Sequence, residues 1–118
     1  MLPRRARMRN SVEFRETVRR GVRVGRPTLV LHAASTTAND VRVGLVVSKA
    51  IGNAVTRNQV KRRLRHLAVE CLPTTPAGSR IVLRALPAAA TSAVGLRRDL
   101  ASAWRAGLDR LARRDGFA

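Results

Sequence analysis

Seven carboxylates, two imidazoles and one thiol are the acid–base and metal-binding groups that this 118-residue chain offers. The acids are Glu13, Glu16, Asp40, Glu70, Asp99, Asp109 and Asp115, with no Asp-x-Asp or Asp-x-Glu group to hold one or two metal ions. Glu13 and Glu16 are three apart on a predicted helix, but Arg15, Arg19 and Arg20 surround them, so ion pairing along the helix accounts for them. His32 and His66 have no ligand spacing, and His66 reads as a solvated or partner-facing side chain rather than a base. Cys71 is alone, which excludes an intramolecular disulfide and a cysteine-rich zinc site. Gly21, Gly25, Gly44 and Gly52 make no phosphate loop of the P-loop kind. Autonomous cleavage chemistry is not expected.

Phosphate binding is the chemistry this chain does concentrate. Lys and Arg number 24 against 7 Asp and Glu, a formal charge of +17, and all but Lys49 and Lys61 of the basic residues are arginine. Arginine presents a planar fork that grips phosphate bidentately and stacks on bases. The densest run lies in a predicted helix over about Ala54–Cys71. At about 100° per residue, Val60, Leu64, Leu67, Ala68 and Cys71 share one face. Arg57, Lys61, Arg65, Asn58 and Arg62 follow round within an arc of about 140°, with Arg63 on the other flank. No acid interrupts the run before Glu70. Like charges at helical spacing are destabilising by themselves, so this face implies a polyanionic partner.

The remaining elements must position that helix. Hydrophobic residues are 45% of the chain, enough for a core, and the length is that of a single domain, 1–118. Residues 1–9, with four arginines and no acid, read as a flexible basic arm. Asn10 or Ser11 caps a first helix that ends at Gly21 and places Phe14 and Val18 on one face, away from the basic row. Val22–Arg26, Thr28–Ala34, Val41–Ser48 and Arg80–Leu86 are strand-like. The polar stretch Ser35–Asp40 suggests that the second and third of these form an antiparallel hairpin. Thr91 opens a last helix to Arg114, with Leu96, Leu100, Trp104, Leu108 and Leu111 on one stripe and Trp104 as core anchor. This order predicts an α+β fold, one small central sheet with three helices packed on it. No apolar run is long enough for a membrane span, and no apolar run follows the basic start as in a secretory signal, so a cytoplasmic protein is expected.

The run Lys49-Ala-Ile-Gly-Asn-Ala-Val-Thr-Arg-Asn-Gln-Val-Lys-Arg-Arg-Leu-Arg65 resembles the signature of the bacterial ribonuclease P protein subunit, Gly-Asn-Ala-Val-x-Arg-Asn-Arg-x-Lys-Arg-x-x-Arg. Gly52, Asn53, Ala54, Val55, Arg57, Asn58, Lys61, Arg62 and Arg65 match it, as does the preceding strand Arg42–Leu45. Gln59 departs from the pattern: the family usually has arginine there, so a charge is lost while hydrogen bonding is kept. The resemblance implies an α/β sandwich of the ribosomal protein S5 domain 2-like type, with a left-handed βαβ crossover around the basic helix. It implies a protein cofactor of a catalytic RNA that removes the 5′ leader from precursor tRNA by Mg2+-dependent hydrolysis. The protein itself would supply no catalytic residue and no metal site. Arg57, Asn58, Lys61, Arg62 and Arg65 would contact the RNA subunit. Phe14, Val18, His32 and Lys49 would serve the single-stranded leader, with weaker stacking than where aromatics stand at the second and third of these positions. Neither membrane nor DNA would be a partner. A ribosomal protein or general RNA chaperone fits the charge and size equally well, but does not require the Gly-Asn-Ala-Val-x-Arg-Asn run or a cleft at Phe14.

Overall fold

A computed structural model describes residues 2–116. Helix α1 (Ser11–Arg20) leads into strands β1 (Val22–Gly25), β2 (Leu29–Ser35) and β3 (Arg42–Val46). Helix α2 (Ala54–Cys71), strand β4 (Ser79–Ala85) and helix α3 (Ala93–Arg114) complete the chain, with short 3-10 turns between. The four strands form one mixed sheet in the order β1-β2-β4-β3. β1 with β2 and β2 with β4 run antiparallel, while β3 and β4 run parallel and are joined through α2. The α+β architecture expected from the sequence is present.

One face of the sheet carries the main core. Val24, Leu29, Leu31, Ala33, Val43, Ile81 and Leu83 pack with Val60, Leu64, Leu67 and Ala68 of α2 and Leu96, Leu100, Ala103 and Trp104 of α3. α3 approaches closely enough that a Cβ on Gly107 would lie 2.6 Å from Leu31 Cδ2. The buried Trp104 indole N–H donates to Thr75 Oγ1 at 2.9 Å, pinning the loop after α2. Asp99, also buried, accepts from the backbone N–H and hydroxyl of Thr28 at 3.0 and 2.7 Å. Those bonds tie α3 to the start of β2 and satisfy a carboxylate that burial would otherwise penalise.

The opposite face carries α1. A Cβ on Gly44 would meet the Phe14 ring at 2.6 Å, so glycine is what lets the ring lie on β3. At one end of this face Glu13 pairs with Arg80 (3.1 Å) and Arg42 (3.3 Å), and Asp40 pairs with the same two arginines at 2.9 and 3.2 Å. Arg80, nearly buried, thereby has two carboxylates as partners. Its hydrogen bonds, with those of Arg42, hold the Asp40 carboxyl below the usual carboxylate range. Of the acid–base pairing expected along α1, only Glu16 with Arg20 stays within the helix, at 2.8 Å.

Two sequence expectations fail here. β2 and β3 are not a hairpin, because β4 lies between them, antiparallel to one and parallel to the other. β4 is buried along nearly its whole length, and a strand apolar on both faces belongs in the middle of a sheet. The Ser35–Asp40 turn closes instead on the entry to β4: Thr36 N–H donates to the Gly78 carbonyl, and Gly78 N–H to the Asp40 carbonyl. Residues 2–9 of the expected arm are packed. Leu2, Ala6 and Met8 are buried, and Met8 N–H donates to the Val43 carbonyl at 2.9 Å. The segment covers the free edge of β3, which would otherwise present unpaired backbone groups. Met1 of that arm lies outside the described residues.

Candidate nucleic-acid interface

The basic helix starts where Asn53 caps it, its side-chain oxygen accepting from Thr56 N–H at 2.9 Å. Val60, Leu64, Leu67 and Ala68 fix its rotation by entering the core. Cys71, expected on the same stripe, is only half-buried; burial pushes its thiol pKa up, with the Glu70 charge adding to it. With the apolar side seated, Asn58 and Arg62 face solvent and Arg57, Lys61 and Arg65 flank the seam with the sheet, half-buried. Among the described residues no carboxylate lies within 4.0 Å of Arg57, Lys61, Arg62 or Arg65, and the buried Nε of Arg57 has no hydrogen-bond partner. Cations without acidic partners are poised for an external anion.

From this row the surface continues into a hollow where Lys61 and Arg65 meet Phe14, Met8, Val43 and Leu45. Beyond Phe14 lies a groove of about 610 Å³ bounded by Ser11, Phe14, Arg15 and Val18 of α1, with Val46 and Arg84 from the sheet. Ser11, Phe14, Arg15 and Val18 are spaced i, i+3, i+4, i+7, one stripe of the helix. The expectation that Phe14 lies away from the basic row is therefore corrected. Its ring belongs to both the groove and the hollow, because α1 packs across β3 at Gly44 beside the flank of α2.

Phe14 and Val18 come together in this groove, but His32 and Lys49 do not join them. His32 sits within β2, 7% exposed, opposite Arg23 across the β1–β2 pair. Burial lowers its pKa from 6.5, and the charges of Arg84 and Arg23 lower it further, so the imidazole is neutral near pH 7. Its buried Nδ1 has no hydrogen-bond partner. Lys49 lies exposed on the 3-10 turn Lys49–Ile51 that precedes α2. Arg15 and Arg84 are groove residues that the sequence reading missed. Arg15 shares the stripe of Phe14, a signal present in the sequence; Arg84 is the charged, exposed break in the buried run of β4, which marks it as surface without linking it to α1.

No group of three or more His, Cys, Asp or Glu that could hold a metal occurs among the described residues. Glu13 and Asp40 are turned to Arg42 and Arg80, and Glu70 on α2 stands alone near Arg97, so the donors at hand do not fit a resident Mg2+. Among the described residues no helix is long and apolar enough to cross a membrane.

A small mixed sheet bearing an unpaired arginine helix beside a part-apolar groove defines a basic α+β nucleic-acid-binding protein. A family model described as ribonuclease P matches residues 2–107. The ribonuclease P protein component of Corynebacterium diphtheriae is 49% identical, the match covering 97% of this chain and 99% of that one. That of Kocuria rhizophila is 55% identical over 78% of this chain and 81% of its own length. The ribonuclease P protein from Staphylococcus aureus superposes with a TM-score of 0.72 at 25% identity, over 91% of this chain and 93% of that one. The chain belongs to the bacterial ribonuclease P protein family. It is a component of the ribonuclease P holoenzyme, acts in tRNA processing, and has the RNA subunit as its partner.

Proposed function

We propose that the α2 row holds the catalytic RNA while the groove beside α1 holds the single-stranded 5′ leader of precursor tRNA. The observation that carries this reading is the continuity of the two surfaces at Phe14, which belongs both to the groove and to the hollow bearing Lys61 and Arg65. Arg57, Asn58, Lys61, Arg62 and Arg65 contact phosphates of the RNA subunit; their lack of acidic partners supports this role. In the groove, Phe14 offers a ring face for a base, Val18 and Val46 an apolar wall, and Arg15 and Arg84 the charge to follow a backbone. Lys49 and His32 take lesser parts: Lys49 as an exposed cation near the start of α2, His32 as a neutral, nearly buried group in the middle of β2. Mg2+ serves the RNA-based hydrolysis, and this chain contributes binding and orientation rather than a reacting group.

The test compares precursor tRNA carrying a leader of several nucleotides with tRNA lacking one. Adding the protein to catalytic RNA at low Mg2+ stimulates cleavage, whereas the protein alone, with magnesium or manganese, cleaves nothing. Stacking on an aromatic is worth about 1–3 kcal/mol, so Phe14→Ala weakens holoenzyme binding of the leader-bearing tRNA by about 5- to 150-fold. Leaderless tRNA binds nearly as before, and Phe14→Leu with a melting curve controls for lost packing. Equal weakening of both tRNAs in a folded variant overturns the leader assignment.

A further inference from the structure

α2 has a second charged flank that shares Arg62 alone with the row above. Gln59, Arg62, Arg63 and His66 are spaced i, i+3, i+4, i+7, and that stripe faces Ala93 and Arg97, i and i+4 on the opening turns of α3. Between the two helices lies a concavity of about 420 Å³, with Leu67 and the small Ala93 among its walls. We propose that this concavity is a second phosphate site for RNA, gripping a backbone phosphodiester of the RNA subunit with Arg63 and Arg97. The proposal rests on the reading that α2 binds the catalytic RNA.

Three guanidinium groups and one imidazole line this space. The acid that approaches them is Glu70, 3.8 Å from Arg97, with the two side chains 59% and 67% exposed. An ion pair so long and so wet contributes little, and the first turn of α3 holds no acid to compensate. Converging arginines from two helices, with only the long, exposed Glu70 pair as counter-charge, form a bidentate receptor of the kind phosphate oxygens satisfy. The Gln59 amide and a His66 ring N–H add directional donors. Arg62 belongs both to this stripe and to the exposed outer face of α2 with Asn58. A strand crossing that outer face therefore reaches the concavity without leaving the helix, which favours a polynucleotide over a free anion.

Gln59 acquires a role in this setting. It stands at a position where the resembling signature carries arginine, and here it lines the same space as Arg97. Arg97, reaching across from α3, supplies the cation that α2 itself does not.

The experiment measures equilibrium binding of the catalytic RNA to the full chain across a salt series, with inorganic phosphate and pyrophosphate titrated separately. Arg97→Ala and Arg63→Ala each weaken RNA binding by about 3- to 10-fold, the scale of a solvent-exposed hydrogen bond to phosphate. Each also flattens the slope of log K against log salt by about 0.7–0.9. Glu70→Gln, which frees Arg97, tightens binding. Gln59→Arg restores affinity in the Arg97→Ala background, a rescue that loss of helix packing would not allow. Wild-type affinity and slope in both arginine variants, with Arg65→Ala impaired, overturn the second site and leave the α2 row standing. If Arg65→Ala is also silent, the RNA reading of α2 falls with it. Loss of phosphate or pyrophosphate binding with RNA affinity unchanged marks a free-anion site and likewise overturns the proposal.

Discussion

On one face of the sheet, α2 and α3 bury Leu31, Ile81 and Leu83 against Leu64, Leu100 and Trp104, and the few polar groups there meet fixed partners. On the other, α1 is anchored along one flank by Glu13 in the Arg80–Asp40–Arg42 cluster and by Phe14 on Gly44, and its other flank, from Ser11 to Val18, stays open as a groove. The first face supplies stability without regard to a ligand. The second gives up burial to keep apolar and cationic groups reachable. Substitutions on the two faces should therefore separate folding from binding.

The largest separation comes from the sealed face. Leu64 is fully buried, and Leu64→Ala costs about 2–5 kcal/mol through lost transfer energy and a cavity. Urea denaturation shows the loss as a lower midpoint at an unchanged slope. Binding of both RNAs, measured well below that midpoint, stays near wild type. A variant that keeps its stability but loses RNA affinity would break the division between the faces.

Next is the anchor of α1. Arg80→Met leaves Glu13 with Arg42 and deprives it of its least exposed partner, at a cost of about 1.5–3 kcal/mol. Because Glu13 precedes Phe14, leader binding also falls, while affinity for the RNA subunit changes less. Equal losses for both RNAs would mean that the cluster supports the whole fold rather than the groove.

How much of this contrast the sequence disclosed depends on the range of the interactions. α2 was legible to its end residues, since a cap at Asn53 and the period of Val60, Leu64, Leu67 and Ala68 are local. The arginine row followed from the same period. Strand order was not legible, because nothing near Ser35–Asp40 announces that β4, some 40 residues on, will slip between β2 and β3. The clue lay in β4 itself, whose unbroken Ile81-Val-Leu83 run suits a central strand. Residues 2–9 were misjudged on charge alone, although Leu2, Ala6 and Met8 carried the packing signal between the arginines. Phe14 and Val18 were found as a pair by helical spacing, yet Arg84 enters their groove from a strand no local pattern links to α1.

A smaller effect distinguishes the exposed row from the groove by charge. If the row and its neighbouring arginines neutralise about five phosphates, log K for the RNA subunit falls against log salt with a slope of roughly −3.5 to −4.5. Arg57→Ala and Arg62→Ala each flatten it by about 0.7–0.9, whatever the RNA sequence. Phe14→Ala leaves the slope alone, since it removes no charge. A slope near zero would remove the polyanion interface altogether.

The smallest effect lies within the open face and is read by pH. His32 is held neutral by burial and by the charges of Arg84 and Arg23, so its folded pKa lies below 6.5 while the unfolded chain titrates near that value. The unfolded state then binds more protons across that interval, and stability must fall as pH drops from about 6.5 through the folded pKa. His32→Gln removes the titration and should flatten the stability profile in that window. Asp40 and Asp115 act in a separate window: their folded pKa values are depressed below 3.8, Asp40 by Arg80 and Arg42, Asp115 by the Ser35 hydroxyl and Arg114. Their contribution is complete above that value and is lost only in stronger acid, so His32→Gln leaves the low-pH limb in place. Leader binding adds a further sign. A phosphate near Arg84 offsets the charge that disfavours protonation, so bound leader raises the folded His32 pKa toward 6.5 and narrows the window in which acid costs stability. NMR titration of the His32 ring, with and without a leader oligonucleotide, reads that shift directly. No shift, in a variant series where Phe14→Ala still weakens leader binding, would place the leader's phosphates away from Arg84 and confine the site to the α1 side of the groove.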